Sequence, residues 1–207
     1  MQVLFGGTFD PVHDGHLAMV KSLSHAFPEA VVHVIPNRQP PHRQSHVSSE
    51  HRLAMLNLAM TSLPQVQVNT IELGRDGPSY TVNTLQALRE QFGSDESIVL
   101  CLGADAVSAI EQWYEPNRLS SLCNLCVLNR AGESVTIAPV LESFSENDHL
   151  SALEEKPAGI LIRLATPDVA VSSTYVRHLI ENKETRLPVP SKIADYIGQH
   201  HLYQDTE

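Results

Sequence analysis

The sequence has little that would place it in a membrane or among disulfide-linked secreted proteins. No apolar run approaches the roughly 20 residues that a helix needs to cross a bilayer. The chain starts with Met1 and reaches the apolar residues Val3, Leu4 and Phe5 without the basic stretch and small-residue cleavage site expected of a signal peptide. The three cysteines, Cys101, Cys123 and Cys126, lie in apolar stretches, which predicts buried, reduced thiols. We expect a cytoplasmic protein that has no membrane partner.

Positive charge is also scarce. The 207 residues include 14 Lys and Arg against 24 Asp and Glu, which gives a formal net charge of −10. Nucleic-acid binding depends on many cationic contacts to phosphate, so this composition argues against a nucleic-acid partner. A small anionic ligand remains compatible with it, because a few hydrogen-bond donors in one cleft are enough to bind such a ligand.

Familiar motifs of nucleotide and metal sites are missing too. The chain contains neither G-x-x-x-x-G-K-[ST] nor G-x-G-x-x-G. Cys123 and Cys126 have the spacing of zinc ligands, but no second pair follows, and residues three apart on a strand point to opposite faces. The sequence therefore predicts no metal site made by the protein itself.

Short apolar runs alternate with helical periodicities along the chain. Strands are predicted at residues 3–5, 31–35, 66–71, 98–102, 122–128 and 160–164. Helices are predicted after Asp14 and Ser79 as possible N-caps, around 53–63, after Ser172 or Ser173, and at about 191–200. Residues 36–48 are predicted to form a long loop, and the acidic stretch 142–155 an exposed connection.

This order predicts an α/β fold. We expect a Rossmann-like, doubly wound parallel sheet with helices on both faces and C-terminal helices packed alongside. Residues 1–207 should form a single domain, with about 172–207 as its C-terminal helical part. Ligands of such sheets bind beyond the carboxyl ends of the strands, where residues 6–16, 103–105 and 166–173 are expected to meet.

The segment after the first strand has the composition of a phosphate site. It reads Gly6-Gly7-Thr8-Phe9-Asp10-Pro11-Val12-His13-Asp14-Gly15-His16. His13 and His16 are three residues apart at the start of a helix, which places both imidazoles on one face. The helix N-terminus adds N–H groups and a partial positive charge, so the segment is predicted to bind a polyphosphate.

The same segment resembles the signature of the nucleotidyltransferases that carry a Thr- or His-x-Gly-His motif. Within that superfamily the chain is most similar to the bacterial nicotinate-nucleotide adenylyltransferases. Four more segments carry the resemblance: Pro40-Pro41-His42-Arg43; Ser79-Tyr80-Thr81; Gly103-Ala104-Asp105 with Trp113-Tyr114; and Ser172-Ser173-Thr174 with Arg177.

The resemblance implies transfer of the adenylyl group of ATP to the phosphate of nicotinate mononucleotide. The products would be nicotinate adenine dinucleotide and pyrophosphate, in NAD biosynthesis. The attacking phosphate is already anionic, so no general base and no covalent intermediate are needed. Mg²⁺ would enter bound to ATP, held by phosphate and water more than by protein carboxylates.

The resemblance also implies the roles of individual residues. His13, His16 and Arg177 would be catalytic. The ATP phosphates would be bound by Gly6, Gly7, Thr8, Phe9, His13, His16, Ser172, Ser173, Thr174 and Arg177. The acceptor would be bound by Thr81, Asp105, Trp113, Tyr114 and Arg43.

Two other classes of function remain open at this stage. The chain could be an adenylyltransferase for nicotinamide mononucleotide or phosphopantetheine, or a non-catalytic nucleotide sensor that has kept the fold. The sequence also leaves the oligomeric state open, a homo-oligomer included.

Overall fold

The computed structural model describes residues 1–40, 45–130 and 135–204 of the chain. Its strands are β1 (Gln2–Gly7), β2 (Val31–Pro36), β3 (Val66–Val68), β4 (Ile98–Gly103), β5 (Asn124–Arg130), β6 (Ser145–Glu146) and β7 (Ile160–Thr166). Its α-helices are α1 (Asp14–Ala26), α2 (Ser49–Met60), α3 (Thr81–Phe92), α4 (Ala104–Ser108), α5 (Leu119–Leu122), α6 (Ala152–Glu155), α7 (Ser173–Glu181) and α8 (Ser191–Gln199). Short 3₁₀ turns lie at Ile110–Gln112, Pro116–Arg118 and Pro139–Leu141.

The strands form one parallel sheet in the order β3-β2-β1-β4-β5-β7-β6. The strand order reverses between β1 and β4, because β1 pairs with β2 on one side and with β4 on the other. Parallel sheets of this kind bind ligands beyond the carboxyl ends of the strands at such a reversal. The predicted Rossmann-like α/β architecture is confirmed.

Both faces of the sheet are covered by helices. Val3 and Phe5 of β1 belong to one buried cluster, together with residues of α1, α2, α7 and α8. Leu4, which points to the opposite face, belongs to a second cluster that includes Leu85 and Leu88 of α3. The strands can be apolar throughout because neither face meets water.

The cysteines follow the same alternation. All three are buried and free, as predicted. Cys123 packs in the cluster on the α3 side, whereas Cys101 and Cys126 pack in the cluster on the α1 side. Cys123 and Cys126 therefore point to opposite faces of the sheet.

Three local predictions about where elements begin or end were wrong. The strand predicted at 66–71 ends at Val68, since the Asn69 side-chain oxygen accepts a hydrogen bond from the Ile71 amide and starts a turn. Asp14 is the first residue of α1, and its N-cap is His13. Ser79 does not cap α3, whose N-cap is Tyr80; the Ser79 hydroxyl accepts instead from the Arg38 amide at 3.0 Å.

The stretch 142–155 is more ordered than its charge suggested. It contains β6, which pairs with β7, and the short helix α6. Phe144 and Leu153 are buried beside exposed acidic residues. Isolated apolar side chains anchor the segment to the sheet, and such single anchors leave no periodic signal in the sequence.

Candidate active site

A cavity of about 360 Å³ lies at the reversal point of the sheet. Its floor is formed by β1 and β4, and its walls by the start of α3 and the segment after the first 3₁₀ turn. Six of the predicted site residues line it: Gly6, Gly7, Thr8, Thr81, Trp113 and Tyr114. Predicted residues from three separate parts of the sequence thus meet in one site.

Aromatic rings shape one wall of this cavity. Trp113 directly follows the 3₁₀ turn Ile110–Gln112 and is half-buried. The ring of its neighbour Tyr114 stacks on that of Tyr80, with centroids 4.6 Å apart and planes 25° apart. Because Tyr80 is the N-cap of α3, this stacking holds the aromatic segment against the start of that helix.

Sequence reasoning missed a polar network in the same wall. Glu72 is buried and lines the cavity, and its Oε1 accepts a hydrogen bond from the Thr84 hydroxyl at 2.7 Å. Arg75 Nη2 donates to the same hydroxyl oxygen at 3.0 Å. Thr84 lies three residues after Thr81, on the same face of α3. This second threonine was the feature of the sequence that could have indicated the network.

The two histidines of the segment 6–16 form the start of α1. The His16 amide donates to His13 Nδ1 at 3.4 Å, and the His13 amide donates to His16 Nδ1 at 3.3 Å, which is a reciprocal capping box. Their rings stack with centroids 3.7 Å apart, which confirms that both imidazoles share one face. Since both Nδ1 atoms accept hydrogen bonds, the proton of each neutral ring is on Nε2.

The Phe9 ring packs edge-on against the ring of His16. Phe9 is buried, has a left-handed backbone with φ of 51°, and places its ring 4.9 Å from that of His16, centroid to centroid. A β-carbon at Gly7 would lie only 3.0 Å from the Phe9 ring. The absence of a side chain at Gly7 therefore makes room for Phe9, in addition to exposing backbone to the cavity.

Helix α7 docks against the same segment. The Ser172 hydroxyl accepts from the Tyr175 amide at 3.1 Å, which makes Ser172 the N-cap. The Ser173 hydroxyl donates to the Pro11 carbonyl at 3.0 Å. Arg177 is buried; its Nη1 donates to the Asp10 carbonyl at 2.6 Å and its Nη2 to the Thr174 hydroxyl at 3.2 Å. Two of the predicted phosphate residues of α7, Ser173 and Arg177, thus hold the backbone just before the histidine pair.

One of the predicted acceptor residues that the structure describes does not line the cavity. Asp105 is exposed on α4 and is not among the residues that line the cavity, although its neighbour Ala106 is. Arg43 lies outside the described residues. Within the described ranges, no group of three or more His, Cys, Asp or Glu side chains is arranged to hold a metal ion. The helices of those ranges include none that is long and apolar enough to span a bilayer.

A second missed residue is Arg52 of α2, which is fully buried. Its Nη1 donates to the carbonyls of Thr8 at 2.8 Å and Asn37 at 2.7 Å, and its Nη2 to the carbonyl of Arg38 at 3.2 Å. The arginine thereby joins the segments that follow β1 and β2 beside the cavity. The sequence indicated its importance only by placing a single cationic residue on the apolar face of α2.

Both histidines of the site are neutral at pH 7. Burial lowers the pKa of His13 from 6.5 to about 4, and burial together with the nearby His13 holds the pKa of His16 well below its usual value. Each ring therefore offers a single N–H donor, without a positive charge that would have to be desolvated.

We predict from these shifts that the protein loses stability on acidification. Between pH 6.5 and pH 4 the unfolded chain binds protons at both histidines while the folded chain does not, so the free energy of unfolding decreases as pH falls. For His13 alone the loss over that window is about 3 kcal/mol. Urea unfolding at a series of pH values measures it.

The control for this prediction is a variant that cannot titrate at position 13. His13→Asn should show a shallower decrease of the unfolding free energy over the same window. His25→Ala, at the exposed end of the same helix, should keep the slope of the unchanged protein. Equal slopes for all three proteins would show that His13 is not held neutral.

Comparison with known proteins defines the class of this chain. Residues 4–179 match the sequence profile of the cytidylyltransferase-like family, so the chain is a nucleotidyltransferase by class. A probable nicotinate-nucleotide adenylyltransferase of Chromohalobacter salexigens is 38% identical over 206 residues, covering 97% of this chain and 94% of that protein. A protein of the same description from Dechloromonas aromatica is 35% identical over 211 residues, covering 98% and 97%. The chain belongs to the nicotinate-nucleotide adenylyltransferase family.

Solved structures agree on the fold. The nicotinic acid mononucleotide adenylyltransferase of Plasmodium falciparum, complexed with NaAD, matches with a TM-score of 0.73 over 98% of this chain and 96% of that one. The same protein complexed with APC matches with a TM-score of 0.70. Sequence identity is 16% in both cases, so the likeness concerns the architecture.

Proposed function

We propose that this chain transfers the adenylyl group of ATP to the 5′-phosphate of nicotinate mononucleotide, in NAD biosynthesis. The products are nicotinate adenine dinucleotide and pyrophosphate. The observation that carries the proposal is the junction of two subsites at the end of β1. One is the stacked histidine pair at the start of α1, and the other is the cavity that Thr81 and Trp113 line.

The histidine subsite serves the triphosphate. His13 and His16 donate from Nε2–H to oxygens of the α- and β-phosphates, where negative charge develops as the pyrophosphate leaves. The N-termini of α1 and α7 add oriented N–H groups and partial positive charge. Ser172, Ser173 and Thr174 supply hydroxyls and amides to the β- and γ-phosphates.

Arg177 has two tasks in this scheme. Two of its N–H groups are used on Asp10 and Thr174. A guanidinium carries five N–H donors, so three remain for phosphate oxygens, together with the positive charge. The arginine both fixes the segment 10–13 and neutralises the leaving pyrophosphate.

Nucleotidyltransferases generally use a divalent metal ion. In this chain we propose that the ion is Mg²⁺ and that it arrives with ATP. The proposed phosphate residues are histidines, hydroxyls and an arginine, which leaves phosphate oxygens and water as the natural ligands of Mg²⁺. When bound, the ion lowers the negative charge of the triphosphate.

The cavity serves the acceptor. The pyridine ring stacks on the face of Trp113, beside Tyr114. The carboxylate of nicotinate accepts a hydrogen bond from the Thr81 hydroxyl at the first residue of α3, where the helix dipole favours an anion over the neutral amide of nicotinamide. Asp105 bonds a ribose hydroxyl and Arg43 reaches the acceptor phosphate.

The remaining proposals concern the whole chain. Residues 1–207 act as one nucleotidyltransferase domain, with about 172–207 as its C-terminal helical part. The enzyme works in the cytoplasm on ATP and nicotinate mononucleotide, as a monomer or a homo-oligomer, without nucleic acid or membrane as partner.

The test is pyrophosphate release with ATP, Mg²⁺ and three acceptors measured side by side. We expect turnover with nicotinate mononucleotide to exceed that with nicotinamide mononucleotide or pantetheine phosphate. Equal turnover with another acceptor would refute the assigned substrate. A protein that binds ATP but turns over none of the three would be a nucleotide sensor.

The variant Trp113→Ala belongs to the same experiment. Loss of a stacked aromatic ring should raise the KM for nicotinate mononucleotide by about tenfold. The KM for ATP is the internal control and should stay the same, because Trp113 lies in the acceptor subsite. An unchanged acceptor KM would assign Trp113 to packing alone.

A further inference from the structure

Asp10, three residues before His13, accepts hydrogen bonds from three other segments of the chain. Its carbonyl accepts from Arg177 Nη1 at 2.6 Å. Its carboxylate accepts from the Tyr203 hydroxyl at Oδ1, at 2.9 Å, and at Oδ2 from the His46 amide at 2.7 Å and His46 Nδ1 at 3.1 Å. Three segments far apart in sequence are thereby tied to the residue that follows Phe9.

The hydrogen bond from Tyr203 joins a partly buried phenol to a buried carboxyl group. Asp10 is buried, and Tyr203 reaches it from 193 residues away in sequence. Burial and the Asp10 carboxylate raise the pKa of the Tyr203 phenol, so its hydroxyl stays protonated and acts as the donor. A hydrogen bond to a buried carboxylate is among the stronger kinds in a protein.

The backbone is left-handed at Tyr203 and at Phe9, the residue before Asp10. Phe9, next to Asp10, has φ of 51°, and Tyr203 has φ of 60°. These left-handed conformations are unfavourable for bulky residues and persist only where the surrounding structure enforces them. The hydrogen bond from the Tyr203 hydroxyl to Asp10 links the two segments, because it joins the Tyr203 side chain to the residue that follows Phe9.

Phe9 connects this contact to the histidine pair. Its ring centroid lies 4.9 Å from that of His16, so a shift of the Asp10 backbone would move the imidazole that is proposed to donate to phosphate. Arg177, which holds the other side of Asp10, also belongs to the proposed triphosphate subsite. The acceptor cavity does not include Asp10, Phe9 or Tyr203 among its lining residues.

We propose that Tyr203 is a positioning residue of the reaction, which acts through Asp10 to hold the segment 9–16 in the geometry that binds ATP. The C-terminal end of the described chain is then part of the nucleotide site, although it lies outside the cavity. The expected effect on reaction kinetics rests on the proposed function, whereas the expected effect on ATP binding does not.

The variant Tyr203→Phe removes only the hydroxyl. We expect kcat/KM for ATP to fall about tenfold and the KM for the acceptor to change less than twofold. The matched control is Tyr196→Phe, since the Tyr196 hydroxyl also makes one side-chain hydrogen bond, to His51 at 3.0 Å on the surface of α2. If both variants had the same kinetic constants for ATP, the proposal would be overturned.

A binding measurement separates this proposal from the assigned activity. Calorimetric titration with a non-hydrolysable ATP analogue should show weaker binding by about tenfold for Tyr203→Phe and unchanged binding for Tyr196→Phe. If no acceptor is turned over but this difference is found, the assigned function is wrong and the role of Tyr203 stands. Equal binding by both variants would overturn that role even in an active enzyme.

A double-mutant cycle tests whether Tyr203 works through Asp10. In the Asp10→Asn background, Tyr203→Phe should weaken analogue binding by much less than tenfold, because the charged partner is already gone. Full additivity of the two changes would mean that Tyr203 acts by another route. If Asp10→Asn does not fold, the comparison of the two tyrosine variants still decides.

Discussion

His16→Ala is expected to lower kcat by about 10²–10³-fold while the affinity for ATP changes much less. In the proposed mechanism, the substitution removes an Nε2–H donor that faces the charge developing as pyrophosphate departs. It also removes the Nδ1 atom that accepts the His13 amide, so the first turn of α1 loses half of its capping box. Steady-state kinetics and equilibrium titration with ATP measure the two effects separately.

The control for His16→Ala is His25→Ala, a histidine in the exposed last turn of the same helix. That change should leave kcat within a factor of two of the unchanged enzyme. If His16→Ala raised the KM for ATP without lowering kcat, His16 would bind ground state and transition state equally, and its catalytic role would be wrong.

The second large effect is on stability. Arg52→Met is expected to lower the free energy of unfolding by about 3–5 kcal/mol, because three backbone carbonyls would lose their donor in a buried place. Those carbonyls belong to Thr8, Asn37 and Arg38. Activity should fall as well, since Thr8 lines the cavity. Urea denaturation gives the stability and the pyrophosphate assay the activity.

Arg38→Met is the matched control for Arg52→Met. The Arg38 guanidinium forms an ion pair with Asp76, 2.6 Å from Nη1 to Oδ1, and the Asp76 side chain is 98% exposed. Such surface pairs contribute about 0–1 kcal/mol, so this variant should remain close to the unchanged protein. Similar losses for both arginines would show that the buried hydrogen bonds of Arg52 contribute little.

The sequence was most informative where structure follows from local periodicity. The alternation of short apolar runs with amphipathic helices predicted the parallel sheet, because a strand covered on both faces is a continuous apolar run and a helix repeats every 3.6 residues. The pairing of His13 with His16 could also be predicted, since residues three apart are neighbours on the surface of a helix. That His13 would be the N-cap could not, because histidine is a rare cap and Asp14 is a common one.

The rest of the site depends on contacts between distant parts of the chain. Asp10 meets Tyr203, and Arg52 meets the segments that follow two different strands. No local pattern reports such pairs, because each depends on how the finished sheet brings its ends together. For Asp105 the local motif was recognised in the sequence, but the motif did not predict the position of the side chain. Asp105 is exposed and does not line the cavity.

The reciprocal capping of His13 and His16 has a consequence for engineering. A designer who sought a more stable α1 would replace the pair by serine and glutamate, the usual partners of a capping box. That choice would strengthen the helix start and discard both imidazole donors in the same step. In this family member, therefore, the gain in stability and the loss of activity would come from the same two substitutions.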